Sequence, residues 1–341
     1  MTKLMQAEFE PAVLCDYLRA EMPSLEGEMR LRRISGGQSN PTYRVEFDNR
    51  IFAVRKQPAG ALLLPSAHAV DREFRILQAL AITNVPVPPV VLFCADPEIV
   101  GTPFYVMEWL DGRIFPTYDL PGVDPPERRA LYAAMADTLA RIHAVDWAAV
   151  GLADYGKPGN FFARQIARWT RQWTVSKLKD NSDLERLIDW LPKHVPDSDE
   201  STIAHGDFRF GNLMFHPTEA RVVAVLDWEL STLGHPLADL SYSAMAWHMA
   251  PSEFGGLRGL DLDALGIPTQ EEYFADYGAF SDRLELPKNF HMAFSMFRFA
   301  VVLEGVAARA RGGNAAASDA SQVGVLSSVF ARRAVELIDG G

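Results

Sequence analysis

The chain has 341 residues, of which 48% are hydrophobic and 23% are charged, as in an ordinary folded protein of about two domains. Its 33 basic and 44 acidic side chains give a formal net charge of −11, which argues against a general binder of nucleic acid or of an anionic membrane. Two cysteines far apart in the chain exclude a disulfide scaffold and fit a reducing compartment.

The sequence predicts neither a signal peptide nor a membrane-spanning segment. The N-terminal residues lack the apolar segment of a signal peptide, and no run of about 18 apolar residues occurs. The most apolar stretch, residues 292–308, is interrupted by Arg298 and Glu304. We therefore expect a cytoplasmic protein without a membrane-spanning helix. The sequence does not indicate an oligomeric state.

The first 110 residues show the periodicities of a small sheet with one or two helices. Helices are predicted at 8–22 and 67–80, strands at 30–34, 42–47, 51–55 and 104–110, and an extended segment at 85–94. A turn-rich segment that contains two glycines joins the first two strands. This part of the chain is predicted to form an α+β lobe, residues 1–110.

The remainder, residues 111–341, is predicted to form a mainly helical second lobe. Helices are predicted at 126–145, 161–178, 184–191 and 320–338 and from residues 238, 270 and 290, short strands at 213–215 and 222–226, and a small-residue loop at 312–318. No internal repeat and no long linker is visible.

The strongest local signal is the string His205-Gly206-Asp207-Phe208-Arg209-Phe210-Gly211-Asn212, followed by an apolar strand that ends at Asp227-Trp228-Glu229. Phosphoryl transfer needs a group that accepts the hydroxyl proton and ligands that hold Mg²⁺ against the phosphates. Because Mg²⁺ prefers oxygen ligands, an Asn carbonyl and an Asp carboxylate suit it. The pattern therefore predicts Asp207 as catalytic base and Asn212 and Asp227 as metal ligands.

These residues carry a family resemblance. The pattern His205-x-Asp207-x4-Asn212 resembles the catalytic loop of the aminoglycoside phosphotransferase and choline-kinase superfamily, which is related to protein kinases, and Asp227 matches the metal-binding Asp of the kinase DFG motif. With the strings at 37–43 and 234–240, the chain is similar to the kinase-like domain fused to some acyl-CoA dehydrogenase homologues. The resemblance extends from about residue 25 to the C-terminal helices. It implies a bilobal α+β protein-kinase-like fold, with an antiparallel sheet and a helix in the small N-terminal lobe and a larger helical C-terminal lobe.

The resemblance also implies a phosphate-covering loop between the first two strands. Its residues are Gly36, Gly37, Gln38, Ser39 and Asn40. Glycines let backbone amides approach phosphate oxygens closely. The loop departs from the G-x-G-x-x-G pattern, and an ordinary hairpin turn is the alternative.

The third strand aligns with the kinase V-A-I-K motif. This places Arg55 where the phosphate-binding lysine sits, and strand alternation points Lys56 to the opposite face. An arginine can bind a phosphate through two parallel hydrogen bonds. The family pattern implies that Glu73 pairs with Arg55. The alternative for Glu73 is a solvated helix charge.

Other positions complete the implied site. Glu108, Trp109 and Leu110 resemble the hinge whose backbone binds adenine, and the apolar residues there are explained equally well as part of the core. Arg209 would stabilise charge on the transferring phosphoryl group, unless it is a surface or substrate-facing residue.

Three further residues have expected roles around the loop. The family resemblance implies that His205 organises the loop rather than acting as a base, and that Asp239 accepts hydrogen bonds from the loop backbone. Glu229 could contact metal or substrate, or it could complete a network of side chains, and the sequence favours neither role.

Several aromatic and basic side chains could line an acceptor site or simply pack in the core. The aromatic candidates are Phe161, Phe162, Trp169, Trp173, Tyr242 and Trp247, together with His248. Arg298, Arg309 and Arg311 could receive an anionic acceptor, and solvation at the surface is the default expectation for them.

The sequence thus predicts a phosphotransferase that uses ATP and Mg²⁺ and acts on a hydroxyl group of a small molecule. The resemblance suggests a hydroxyacyl-CoA or hydroxy acid as acceptor, ahead of an aminoglycoside, and GTP stays open as a donor. A nucleotide-binding pseudokinase or regulatory interaction module is the alternative, although Asp207, Asn212 and Asp227 are all intact. A protein kinase is disfavoured by the missing DFG glycine and by the short interval between Asp227 and Asp239.

Overall fold

The computed structural model describes residues 8–34, 40–58, 69–281, 283, 285–311 and 320–340. The chain forms two compact units. The first comprises Met1–Gly112 with Ala224–Glu229, and the second comprises Arg113–Val223 with Leu230–Gly341. The predicted loop residues Gly36, Gly37, Gln38 and Ser39 lie outside the described residues, and so does the loop at 312–318.

The first unit is built on a five-stranded antiparallel sheet with the strand order β1-β2-β3-β5-β4. Its strands are β1 (Arg30–Arg33), β2 (Thr42–Glu46), β3 (Ile51–Lys56), β4 (Val90–Cys94) and β5 (Phe104–Glu108), and its helices are α1 (Pro11–Glu21), α2 (Val70–Leu80) and α3 (Pro97–Val100).

The central strand β3 determines which side chains reach each face of this sheet. Phe52 and Val54 are buried in a core that includes Leu14 and Leu18 of α1. Because side chains alternate along a strand, Ala53 and Arg55 point to the other face. The register places Arg55 opposite Tyr105 of β5.

The second unit is mainly helical. Its helices are α4 (Pro125–Ala144), α5 (Phe161–Ser176), α6 (Ser182–Trp190), α7 (Pro236–Ser243), α8 (Leu262–Leu265), α9 (Gln270–Phe280), α10 (Asn289–Arg311) and α11 (Ala320–Asp339), and its short strands are β6 (Thr202–Ala204), β7 (Leu213–Phe215), β8 (Val222–Val225) and β9 (Thr232–Gly234). The last two residues of β8 already belong to the segment Ala224–Glu229 of the first unit.

Local signals place the elements around the candidate site. Strand β6 pairs antiparallel with β9, and the string that begins at His205 follows β6 directly. Helix α7 begins two residues after β9, with Pro236 in its first turn and His235 as its N-cap, whose Nδ1 accepts from the Leu237 N–H at 3.2 Å. Asp239 is thereby fixed in the first turn of α7.

Among the described residues, one helical segment is long and apolar enough to cross a membrane, namely Asn289–Ala308 of α10. Inside the protein, 72% of its most apolar window is buried, as in a core helix, so this is weak evidence for a membrane span. Its neighbours in the core include Phe161, Phe162 and Trp173 of α5, for which packing is therefore the observed role.

Candidate active site

A buried ion pair links the central strand of the first unit to helix α2. Arg55 Nε lies 2.7 Å from Glu73 Oε2, and the Glu73 side chain is only 1% exposed. Tyr105 OH donates to the same carboxylate oxygen at 3.0 Å, and Asn40 Nδ2 donates to Glu73 Oε1. The pairing implied by the family resemblance is thus present, with Glu73 buried rather than solvated.

The neighbours of Arg55 keep its guanidinium on β3 positively charged. Burial alone would lower the pKa of Arg55, but Glu73, Tyr105 and Asp227 together hold it above its ordinary value. Burial raises the pKa of Glu73, and Arg55 opposes that rise. Arg55 is therefore permanently charged, and the buried Glu73 carboxylate holds its guanidinium in place.

Asp227 and Glu229 face the same guanidinium. Arg55 Nη2 lies 2.6 Å from Asp227 Oδ1 and 4.0 Å from Glu229 Oε2. Glu73, Asp227 and Glu229 each offer a carboxylate oxygen within 4.8 Å of the other two. When all three are ionised, one guanidinium leaves a formal excess of two negative charges. An oxygen-rich, negatively charged donor set of this kind fits Mg²⁺.

The backbone at Asp227 is held in the left-handed region, with φ of +63°. Asp tolerates this conformation better than most residues, and such positions are often found at functional sites. The next residue, Trp228, is buried, and its Nε1 donates to the Val225 carbonyl at 3.0 Å. The indole therefore secures the turn that presents the Asp227 side chain.

Lys56 lies on the opposite face of β3, as strand alternation predicts. It is 1% exposed, its Nζ lies 3.7 Å from Glu8 Oε2, and it lies 5.7 Å from the centre of the Phe9 ring. Of the two neighbouring basic residues, Arg55 is the one that shares a cluster with Asp227.

The segment predicted as a hinge ends strand β5. The Glu108 N–H donates to the Pro89 carbonyl at 2.9 Å, and the Trp109 N–H donates to the Ile51 carbonyl at 3.2 Å. The Glu108 side chain pairs with Arg50. Two of the three predicted hinge amides are therefore used by neighbouring backbone.

In the second unit, the predicted catalytic side chains lie together in one loop. Asn212 Nδ2 donates to the Asp207 carbonyl at 2.8 Å and to Asp207 Oδ2 at 2.7 Å. A short 3-10 turn, Phe210–Asn212, brings the amide back to Asp207. Arg209 Nε lies 3.4 Å from Asp207 Oδ1. Because the Asn212 nitrogen faces Asp207, its amide oxygen is the atom that could serve as a metal ligand.

The loop backbone is held from behind by Asp239 of α7. Its two carboxylate oxygens accept from the His205 N–H at 2.5 Å and the Gly206 N–H at 2.8 Å. His143 Nε2 lies 3.7 Å from the same carboxylate. Burial alone would raise the pKa of Asp239, but His143 and the Gly206 N–H keep it below its ordinary value. The carboxylate is therefore ionised and serves as a fixed double acceptor.

Two loop residues are adapted to this arrangement. Gly206 has φ of +83°, and a Cβ atom there would lie 2.7 Å from the Leu230 carbonyl oxygen, so the position requires glycine. His205 is fully buried, and its Nδ1 accepts from the Asp207 N–H at 3.2 Å. This contact fits the expected organising role of His205.

The sequence interpretation missed two contacts of this loop. Tyr242 OH donates to Asp207 Oδ1 from α7, although helix packing was the favoured role for this residue. Arg298 Nη2 donates to the Gly206 carbonyl at 2.7 Å and lies 5.7 Å from the centre of the Tyr242 ring. Surface solvation was therefore the wrong default for Arg298. The side chains of Arg309 and Arg311 lie outside the described residues.

Comparison with known proteins identifies the family. A family model described as the phosphotransferase enzyme family matches residues 30–281. A solved structure of a candidate aminoglycoside phosphotransferase from Ralstonia eutropha is 41% identical, covers 97% of this chain and 99% of its own, and has a TM-score of 0.87. Aminoglycoside phosphotransferase APH(4)-Ia, in a ternary complex with AMP-PNP and hygromycin B, has a TM-score of 0.61 over 93% of this chain and 97% of its own at 14% identity, which shows the fold alone.

Curated relatives are longer proteins. Acyl-CoA dehydrogenase family member 10 of Mus musculus is 48% identical over 90% of this chain and 29% of the relative. Acyl-CoA dehydrogenase family member 11 of Homo sapiens is 38% identical over 93% of this chain and 41% of the relative. The chain spans less than half the length of these relatives. The expected resemblance and the α+β kinase-like fold are confirmed, and the chain belongs to the phosphotransferase enzyme family.

Proposed function

We propose that this chain transfers the γ-phosphoryl group of ATP to a hydroxyl group of a small molecule. The observation that carries the proposal is the Asp207 carboxylate, which Asn212 and Tyr242 hold at both oxygens in a loop of the family pattern. In the reaction, the acceptor oxygen bonds to the γ-phosphorus, the bond to ADP breaks, and the acceptor proton passes to Asp207. The fixed orientation of the carboxylate suits that task.

Asn212 and Asp227 would hold Mg²⁺, which neutralises charge on the phosphates when bound. Both residues offer oxygen atoms, and the carboxylate oxygens of Glu73 and Glu229 lie within 4.8 Å of that of Asp227, an oxygen-rich setting that suits a divalent cation. Arg55 would bind phosphate oxygens, and Arg209, beside Asp207, would stabilise charge on the transferring group.

In this proposal residues 1–110 bind the nucleotide, and residues 111–341 carry the catalytic loop and the acceptor site. The loop from Gly36 to Asn40 would cover the phosphates, and only Asn40 of it is described. Since the Glu108 and Trp109 amides are used within the first unit, adenine would bind the Leu110 backbone and the hinge carbonyls. The complex of APH(4)-Ia with AMP-PNP supports ATP as the donor. A cytoplasmic location belongs to the same proposal.

The acceptor is proposed to be a hydroxylated acyl compound, such as a 4-hydroxyacyl-CoA or a hydroxy acid. The support is the identity of 48% and 38% with relatives named acyl-CoA dehydrogenase family members. The solved structure that is 41% identical carries the name of an aminoglycoside phosphotransferase, so an aminoglycoside is the competing acceptor in the test. An acyl-CoA chemistry in those longer proteins would make a hydroxyacyl compound available to a kinase-like domain.

The test is a transfer assay with defined acceptors. The chain is incubated with Mg²⁺ and ATP or GTP, and with 4-hydroxypentanoyl-CoA, 4-hydroxypentanoate or kanamycin, while ADP release and the mass of the product are measured. We expect a phosphorylated acyl product with ATP, and from an Asp207→Asn variant only a small residual rate that needs radiolabelled ATP to be detected. Phosphorylation of kanamycin instead would show that the acceptor is an aminoglycoside and not an acyl compound. Nucleotide binding without any phosphorylated product would favour the regulatory module instead.

A further inference from the structure

Both oxygens of the Asp207 carboxylate are engaged within its own unit. Tyr242 OH donates to Oδ1, and Asn212 Nδ2 donates to Oδ2 at 2.7 Å. Arg209 Nε lies 3.4 Å from Oδ1. A carboxylate held at both oxygens has little freedom to rotate about its terminal bond. Each oxygen still has a lone pair available for an acceptor hydroxyl.

Tyr242 is built to stay in place. It is 3% exposed, and its ring packs edge-on against Phe299 with 5.8 Å between the ring centres. The Arg298 guanidinium lies over this ring, and its Nη2 donates a hydrogen bond to the Gly206 carbonyl at 2.7 Å. Because helix α7 is buried along its whole length, the ring cannot swing away without unpacking that helix.

The phenol is a donor at neutral pH. Burial, and after it the negative charge of Asp207, raise the pKa of Tyr242 well above its ordinary value. The hydrogen therefore lies on the Tyr242 oxygen, and Asp207 Oδ1 is the acceptor.

We propose that Tyr242 is a positioning residue for phosphoryl transfer, which holds Asp207 Oδ1 so that the carboxylate has one orientation toward the acceptor hydroxyl. The proposal rests on the proposed function of Asp207 as the base. A residue of this kind contributes to the transition state and little to ground-state binding of either substrate. Its loss should therefore lower kcat and leave KM unchanged.

The variant Tyr242→Phe tests this because it removes one oxygen and keeps the ring. With ATP and 4-hydroxypentanoyl-CoA, kcat should fall by about tenfold or more, since a hydrogen bond to a charged group is lost. KM for both substrates should not change. The matched control is Tyr273→Phe, which removes a buried hydroxyl bonded to the Ser243 hydroxyl at 2.9 Å and should leave kcat unchanged. The two variants should show similar melting temperatures.

A double-mutant cycle separates positioning from a general structural effect. In an Asp207→Asn background, Tyr242→Phe should cause no further loss of the residual rate, measured with radiolabelled ATP. An equal loss in both backgrounds, or a loss confined to KM, would overturn the proposal. So would an unchanged kcat in Tyr242→Phe alone, while the proposed function would stand. If the unaltered chain forms no phosphorylated product with any acceptor, both fall together.

Discussion

Arg55 Nη2 lies 2.6 Å from Asp227 Oδ1, while Nε of the same guanidinium lies 2.7 Å from the buried Glu73 carboxylate. A single side chain thus joins a carboxylate that water cannot reach to one that is a third exposed and is proposed to bind metal. Stability of the first unit and the geometry around Asp227 therefore depend on the same residue.

Removal of Arg55 should destabilise the protein strongly. An Arg55→Met variant leaves Glu73 buried without its counterion, and the free energy of unfolding should fall by about 3–5 kcal/mol in a urea titration. The matched control is Arg186→Met, which breaks the exposed pair with Asp339 and should cost about 1 kcal/mol or less. Equal losses in the two variants would contradict the anchoring role.

The conservative variant Arg55→Lys tests the phosphate role separately. A lysine retains the positive charge, but its single ammonium nitrogen cannot replace the two guanidinium nitrogens that contact Glu73 and Asp227. We expect a folded protein with a KM for ATP raised by about tenfold, measured in the transfer assay. An unchanged KM for ATP would mean that Arg55 serves stability alone.

Asp239 should matter for activity more than its position in helix α7 suggests. In Asp239→Asn, the amide nitrogen would face one of the two loop N–H groups, His205 or Gly206, and leave it without an acceptor. We expect a loss of about 2–3 kcal/mol in the free energy of unfolding and a large loss of kcat. Asp276→Asn, which alters a half-exposed pair with Arg129, serves as control and should change neither by much. A fully active Asp239→Asn would show that the loop does not need this support.

Buried His291 predicts a loss of stability in acid. Its Nδ1 accepts from the Lys288 N–H at 3.0 Å, and burial, with His235 and Lys288 nearby, lowers its pKa from 6.5 to about 3. The unfolded chain therefore takes up a proton near pH 6.5, whereas the folded protein does so only near pH 3. Stability from the neutral ring is complete above pH 6.5 and is lost as the pH falls toward 3, by up to about 1.4 kcal/mol per pH unit.

The variant His291→Asn checks this, because the amide oxygen can take over the hydrogen bond and does not titrate. The free energy of unfolding is measured by urea titration at several pH values between 6.5 and 4. In this range the unaltered protein should take up about one more proton on unfolding than the variant does, so the variant's free energy should change less with pH. Parallel curves for the variant and the unaltered protein would rule out His291 as the source.

Much of the site was predictable because it lies in short segments of sequence. Asp207 and Asn212 are five residues apart in one loop, so their contact follows from a local turn. The alternation of β3 correctly separated Arg55 from Lys56, because neighbouring strand residues point to opposite faces. The main strands and helices likewise follow from periodicity within one segment.

Contacts between distant segments could not be predicted in this way. Tyr242 reaches Asp207 across 35 residues, and Arg298 reaches Gly206 across 92. A buried tyrosine on an apolar helix gives the same sequence pattern whether its hydroxyl meets a carboxylate or a backbone carbonyl. Strands β6 and β9 were missed because they are only three residues long and carry no alternation that could be detected.

The most direct test of the account compares Asp207→Ala with Asp227→Ala in two assays on the same preparations. Titration of ATP in the presence and absence of Mg²⁺ measures nucleotide binding, and formation of the phosphorylated acceptor measures transfer. On this account, Asp207→Ala abolishes transfer and binds Mg²⁺-ATP as the unaltered chain does, whereas Asp227→Ala loses the dependence of binding on Mg²⁺. Equal effects of the two variants on binding, or transfer that survives in Asp207→Ala, would contradict it.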